Sequence, residues 1–126
     1  MSQYNTIWEI NGASFELDLS DADTLERYED CLAKLADAEK NIKKDGRQSE
    51  FIRSFCKFLA DFFDGVFGEG AAEKIFSGQK TSIPVYLETY DNFLAFARNQ
   101  TAETTKLYSQ YVPNRQQRRA AAKKKK

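Results

Sequence analysis

Asp61 and Asp64 have the spacing that most resembles a catalytic arrangement, because side chains three positions apart lie on the same side of a helix. Paired carboxylates can divide the roles of general acid and general base. No nucleophile accompanies them, however, and the chain contains no histidine, the commonest general base. We therefore interpret both residues as solvated acids that flank an apolar helix face, and we expect no enzymatic activity.

Metal and cofactor binding have little support in the sequence. The segment DFFDG at residues 61–65 lacks the alternating oxygen ligands and the terminal glutamate of an EF-hand loop. No GK[ST] motif follows the glycines between residues 65 and 70, so they do not form a phosphate-binding loop. Cys31 and Cys56 are too few for a zinc site and fall within helical patterns. We predict buried free thiols, with a disulfide between two helices as the alternative, and no cofactor or metal.

The C-terminal residues 113–126, called the basic tail, contain seven cations and no acid, a charge of +7. Residues 1–112 contain twelve Lys and Arg residues against nineteen Asp and Glu residues, a charge of −7, so the formal net charge of zero is a cancellation. The cations of the tail are Arg115, Arg118, Arg119, Lys123, Lys124, Lys125 and Lys126. A segment this polar cannot bury a core of its own. We predict one folded domain over residues 1–112 and a disordered tail over residues 113–126.

The basic tail has three interpretations that its charge alone does not separate. It could contact nucleic-acid phosphates, with an affinity that falls steeply as salt rises. It could dock on an acidic protein surface, including the acidic body of a neighbouring copy, or it could simply keep the chain soluble. A nucleic-acid reader usually also has a basic groove with exposed aromatics, and the acidic body makes that interpretation less favourable.

Nothing in the sequence indicates a membrane or an export signal. The chain has no run of about eighteen apolar residues, so we predict no membrane span. Residues 1–5 lack the basic and then apolar layout of a signal peptide. We expect the protein in the cytoplasm.

A β-hairpin is predicted near the N-terminus, around Asn11 and Gly12. Asn-Gly is the preferred pair for a two-residue type I′ turn, because both positions need a positive φ. Such a turn pairs Ile10 with Ala13 and Trp8 with Phe15, and it places the large apolar residues on one face. An isolated hairpin is marginal in water, so we expect this one to lie against helices or a partner.

Helices are predicted from the recurrence of apolar residues every three or four positions. Four helices are predicted. The first begins at a cap among Ser20, Asp21 and Asp23 and ends at Gly46. The second extends from about Ser49 to Phe67, the third from Ala71 to Phe76, and the fourth from Ser82 onward. The second is apolar around most of its circumference, so we expect it to be surrounded and to be the most buried element. The cluster Leu107–Val112 either extends the last helix or forms a separate one. The predicted fold is mainly α, with a hairpin before a small helical bundle.

Three stretches carry a family resemblance: DFFDGVFGEG at residues 61–70, EKIF at residues 73–76, and NRQQRR at residues 114–119. Together with the Asn-Gly hairpin and the acidic first helix, they are similar to small prophage proteins of Gram-positive bacteria. Those proteins lie in the tail modules of long-tailed phages and resemble tail assembly chaperones. The resemblance extends over nearly the whole chain and includes no catalytic signature, so it implies no active-site residue.

The resemblance implies a non-enzymatic chaperone that binds the tape-measure or tail tube protein in the cytoplasm of the bacterial host. Tape-measure proteins are long, helical and prone to aggregate before the tube forms around them. A small helical protein with a Phe-rich surface could cover their apolar stripes. A small nucleic-acid-binding or regulatory phage protein that uses its basic tail is the alternative.

The aromatic residues in excess of a helical core are the predicted partner-binding residues. They are Phe58, Phe63 and Phe67 on the second helix, and Tyr108 and Tyr111 before the tail. Salt screens exposed charges over roughly 8–10 Å, whereas a buried aromatic side chain contributes about 1.5–3 kcal/mol. We therefore expect an apolar patch, rather than the basic tail, to supply most of the affinity. The alternative is that these Phe residues are ordinary core.

Overall fold

The computed structural model describes residues 5–42, 46–109 and 111 of the chain. Its elements are β1 (Ile7–Ile10), β2 (Ala13–Glu16), α1 (Ala22–Lys40), α2 (Gln48–Phe67), α3 (Ala71–Ile75) and α4 (Ile83–Ser109). The fold is mainly helical with an N-terminal two-stranded antiparallel hairpin, which confirms the predicted class. The basic tail lies outside the described residues. Within them, no helix is long and apolar enough to cross a membrane.

The hairpin has the predicted register. Trp8 pairs with Phe15 and Ile10 pairs with Ala13. Asn11 has a φ of 49° and Gly12 a φ of 81°, as a turn with two left-handed residues requires. The pairing directs the indole of Trp8 into the core.

Helix α1 begins where expected and ends earlier than expected. Asp21 caps its N-terminus, because its carboxylate accepts a hydrogen bond from the Thr24 N–H at 3.0 Å. The helix ends at Lys40 rather than at Gly46, so the predicted end is wrong. Asn41 provides the reason: both its backbone N–H and its side-chain amide donate to the carbonyl of Asp37, at 3.3 and 2.9 Å. An Asn side chain that takes a helix carbonyl competes with the next helical turn.

Helix α2 is the centre of the protein, as predicted. It contributes more buried residues than any other described element: Cys56, Leu59, Phe62, Phe63 and Val66. Helices α1, α3 and α4 contact it, and Trp8 of the hairpin covers a further side. Its observed start, Gln48, is one residue before the predicted one.

Aromatic rings form the middle of the core. The Trp8 indole stacks on Phe63 and Phe67, with ring centroids 5.6 and 5.7 Å apart, and meets the Phe93 ring edge-on at 5.2 Å. Ring pairs in these arrangements contribute about 0.5–1.5 kcal/mol beyond the area that they bury. The cluster therefore joins β1, α2 and α4 through one indole.

Helix α4 carries a buried glutamine, Gln100, that no pattern in the sequence indicates. The Gln100 side-chain amide donates to the carbonyls of Asn5 and Leu17, at 2.8 and 2.6 Å, and its oxygen accepts from the Leu19 N–H at 2.8 Å. One side chain thus holds both backbone segments that flank the hairpin. A further hydrogen bond joins the hairpin to α4, from the Trp8 indole N–H to the Asn92 side-chain oxygen at 2.8 Å.

Gly65 lies where α2 packs closely against Cys31 of α1. A Cβ atom at this position would lie 2.7 Å from the Cys31 sulfur and 3.9 Å from the Cys31 Cβ. The first distance is a clash and the second is an ordinary contact. Glycine inside a helix costs about 1 kcal/mol relative to alanine, so close helix packing explains its presence here.

Gly65→Ala should therefore destabilise the protein by about 1–3 kcal/mol, although alanine is the better helix former. In a Cys31→Ala background the clash disappears, and the same substitution should be neutral or should stabilise by up to about 1 kcal/mol. Urea unfolding of the four proteins in this double-mutant cycle measures the coupling. Equal effects of Gly65→Ala in both backgrounds would contradict the contact.

Candidate partner-binding surfaces

The two aspartates considered for catalysis have separate structural roles. Asp61 forms an exposed ion pair with Lys57 at 3.1 Å, one turn earlier on α2. Asp64 is half-buried, and its carboxylate accepts a hydrogen bond from the Ala72 N–H in the first turn of α3 at 2.8 Å. The interpretation of Asp64 as a solvated acid is therefore wrong, because this carboxylate fixes the turn between α2 and α3.

Cys31 and Cys56 are free and buried, as predicted, and no disulfide joins them. Burial raises the pKa of the Cys31 thiol, while Lys34 and Arg27 act more weakly in the opposite direction. Burial also raises the pKa of the Cys56 thiol. Both thiols are therefore poor nucleophiles near neutral pH. Within the described part of the chain, no group of three or more Cys, Asp and Glu side chains could hold a metal ion.

Phe63 is part of the core, so its prediction as a partner-binding residue is wrong. Its side chain is 0% exposed, and Trp8, Phe76 and Phe93 surround it with ring centroids 5.5–5.7 Å away. Phe67 is half-buried beneath the hairpin, where its ring lies 4.9 Å from that of Phe15. Neither ring is free for a large contact with a partner.

Phe58 lies in a groove between α1 and α2. The groove has a volume of about 420 Å³. Its walls are mostly apolar, with Lys34 and Asp61 as the charged members. The apolar lining consists of Cys31, Leu35, Ala38, Phe58, Phe62 and Gly65. Phe58 is half-buried here, so the exposed part of its ring is accessible to a partner.

The C-terminal end of α4 is the most exposed apolar surface of the described chain. Gln100 is the last buried residue of this helix, and none of residues 101–109 or 111 is buried. We call residues 101–111 the C-terminal arm. Its helical part, nine residues long, extends about 13 Å beyond Gln100. The helix thus continues through Leu107 and Tyr108, so this part of the predicted cluster extends the last helix, whereas Val112 lies outside the described residues.

Three large apolar side chains are exposed on the arm. Leu107 is 57% exposed, Tyr108 51% and Tyr111 83%. The Tyr111 N–H donates to the Tyr108 carbonyl at 3.0 Å, which links Tyr111 to the last turn of α4. Thr104, Leu107 and Tyr108 lie within α4, three or four positions apart, and therefore share one face. Tyr111 lies just beyond the end of the helix. The two tyrosines were predicted as partner-binding residues, whereas Leu107, in the same predicted cluster, was not.

The arm is helical because it continues α4, not because of its own composition. Thr101, Thr104 and Thr105 are weak helix formers. The hydroxyls of Thr101 and Thr105 bond to carbonyls of the preceding turn, at 3.0 and 2.9 Å. Glu103 and Lys106 form an ion pair at 3.5 Å. The polar groups of the arm are thus satisfied locally, and its apolar face is left uncovered.

These features define a small, mainly helical protein with an N-terminal hairpin, an apolar groove and a projecting apolar arm before a basic tail. A family model described as a family of unknown function (DUF6673) matches residues 11–122, and the chain belongs to that family. The match includes the whole arm and the tail as far as residue 122. No curated protein and no solved structure shows a significant match to the chain.

Proposed function

We propose that this protein is a non-enzymatic assembly chaperone of phage tails, which binds the tape-measure or tail tube protein in the cytoplasm of the bacterial host. The observation that carries the proposal is the C-terminal arm, where Leu107 and Tyr108 at the end of α4 and Tyr111 just beyond it are exposed. The resemblance of residues 61–76 and 114–119 to prophage tail-module proteins supplies the partner class.

The arm suits a helical partner with an apolar stripe. A helix that presents apolar residues three and four positions apart can pack along such a stripe. Tyrosine is effective in this role, because its ring buries a large area while its hydroxyl remains hydrated. The acidic body would keep the complex soluble, and the basic tail would increase the rate of association with acidic segments.

The apolar face, not the tail, should dominate the affinity. Each buried tyrosine contributes about 1.5–3 kcal/mol, whereas exposed ion pairs contribute about 0–1 kcal/mol each. Deleting residues 113–126 should therefore weaken binding modestly at about 0.3 M salt, where the Debye length is only about 5–6 Å. Complete loss of binding in this deletion variant would show that the basic tail, and not the apolar face, supplies most of the affinity.

Co-expression with tape-measure fragments from the same phage or prophage tests the function. We expect the wild-type protein to raise the soluble fraction of the fragments, and Tyr108→Ser/Tyr111→Ser to remove most of that effect. Leu87→Ser is the matched control, because Leu87 is exposed on the same helix but far from the arm. Circular dichroism should give the same melting temperature for both variants.

Three outcomes would contradict the proposal. Fragments that remain equally insoluble with and without the protein would exclude the chaperone role. Salt-dependent retention on DNA that disappears when residues 113–126 are deleted would instead favour a nucleic-acid-binding protein. Loss of activity in the Leu87→Ser control would show that the arm is not the binding surface.

A further inference from the structure

We infer that the groove between α1 and α2 binds the C-terminal arm of a second copy of this chain. The groove and the arm are two apolar surfaces that the packing of the helices around α2 leaves uncovered. The inference concerns self-association and does not depend on the identity of the tail partner.

The groove can accept aromatic side chains. Its volume of about 420 Å³ lies in the range of sites that enclose small ligands or a few side chains. Phe58 and Phe62 on one wall and Leu35 and Ala38 on the other offer an apolar surface against which a tyrosine ring can pack. The charged Lys34 and Asp61 also line it, and the Asp61 carboxylate is paired with Lys57.

The arm of the same chain is poorly placed to fill this groove. Helix α4 is continuous as far as Ser109, and Gln100 binds the segments on both sides of the hairpin. Tyr108 and Tyr111 are held exposed at the end of this helix, and neither lines the groove. To reach it, the arm would have to break α4, whereas the arm of another copy can approach intact.

The charges of the two surfaces are complementary. Helices α1 and α2, which form the groove, contain nine acidic and five basic residues, a net charge of −4. The basic tail, which follows the arm by sequence, carries +7. An arm that docks by its apolar face would bring these cations to an acidic body, and the attraction would weaken as salt rises.

The contact joins two different surfaces, so it is heterologous. Two copies that exchange arms would form a closed dimer, whereas copies that each bind the next would form a chain. Either arrangement covers Tyr108 and Tyr111. If the proposed function holds, self-association and binding of a tail protein would therefore compete for the same arm.

Cross-linking between two populations of the protein tests the inference. Both populations carry Cys31→Ala and Cys56→Ala. One also carries Ala38→Cys in the groove, and the other carries an affinity tag and Thr104→Cys on the apolar face of the arm. A short bis-maleimide should join them, and the tag identifies the mixed product by its mass. Ala102→Cys, exposed on the opposite face of the arm, is the matched control and should give a several-fold lower yield.

Analytical ultracentrifugation of a chain that retains both native cysteines provides a second measurement, independent of the cysteine substitutions. We expect association that depends on protein concentration and decreases with salt. Tyr108→Ser/Tyr111→Ser should lower the association constant at least about tenfold, and Leu87→Ser should leave it unchanged. Equal cross-linking yields for Thr104→Cys and Ala102→Cys, or a monomer at every attainable concentration, would overturn the inference.

Discussion

Replacing Phe63 with alanine is expected to lower the free energy of unfolding by about 3–5 kcal/mol. The ring is fully buried, and it packs against Trp8, Phe62, Phe76 and Phe93 with centroids 5.4–5.7 Å away. Removing it leaves a cavity where the hairpin, α2 and α4 meet, in addition to the lost burial. A domain of this size is stable by only about 5–15 kcal/mol, so this is a large fraction of the total.

Trp8 is the only tryptophan of the chain, so the tryptophan fluorescence of the protein comes from this one side chain. Its fluorescence reports the core that Phe63 supports, because the two rings are stacked. Urea unfolding followed by this signal gives the free energy of unfolding. Phe58→Ala is the matched control on the same helix: its ring is half-buried in the groove, so the loss should be clearly smaller. An equal decrease in the free energy of unfolding for Phe63→Ala and Phe58→Ala would contradict the difference in burial between the two rings.

The hairpin was predictable to the residue pair because its signals are local. An Asn-Gly turn fixes which positions face each other, and the alternation of Trp8, Ile10 and Phe15 independently requires the same register. The end of α1 was less predictable. Asn41 and Gly46 are both helix-ending residues, and the outcome depended on whether the Asn41 side chain would capture the Asp37 carbonyl.

The exposed aromatics could be predicted only in part. A helix that is apolar nearly all round, such as α2, gives no periodic signal that separates Phe63 from Phe58. The difference arises from tertiary packing, since Trp8 and Phe93 cover Phe63 whereas Phe58 faces the groove. Tyr108 and Tyr111 were easier to predict, because they follow the point at which the apolar pattern of α4 weakens.

The hydrogen bonds of Gln100 could not be predicted from any sequence pattern. Its backbone partners, Leu17 and Leu19, are more than eighty positions away along the chain. In the sequence it is an unremarkable polar residue in a stretch of weak periodicity. In the structure its side chain is 0% exposed. Its amide provides hydrogen-bond partners for the Leu17 carbonyl and the Leu19 N–H, which lie beside the hairpin. Buried polar groups of this kind are costly unless every partner is present.

Gln100→Leu should therefore lower the free energy of unfolding by about 2–5 kcal/mol, although leucine has a similar size and a good helix propensity. The substitution leaves the Leu19 N–H and two carbonyls without the hydrogen bonds that Gln100 provides. Asn99→Leu is the matched control, because Asn99 is the exposed neighbour on the same helix; its effect should be within about 0.5 kcal/mol of zero. An equally small effect at position 100 would contradict the role assigned to this side chain.

Gln100→Glu separates the accepted hydrogen bond from the donated ones. The ionised carboxylate can still accept from the Leu19 N–H, but it cannot donate to the carbonyls of Asn5 and Leu17. Burial beside two carbonyl oxygens should raise the pKa of the new carboxyl group in the folded state. A raised pKa gives a stability contribution that is present below the unfolded-state pKa of about 4.3 and is lost as the pH rises. The variant should thus approach the wild type in stability as the pH is lowered from about 7 to about 4.5, and urea unfolding of both proteins across that range would show whether the gap closes.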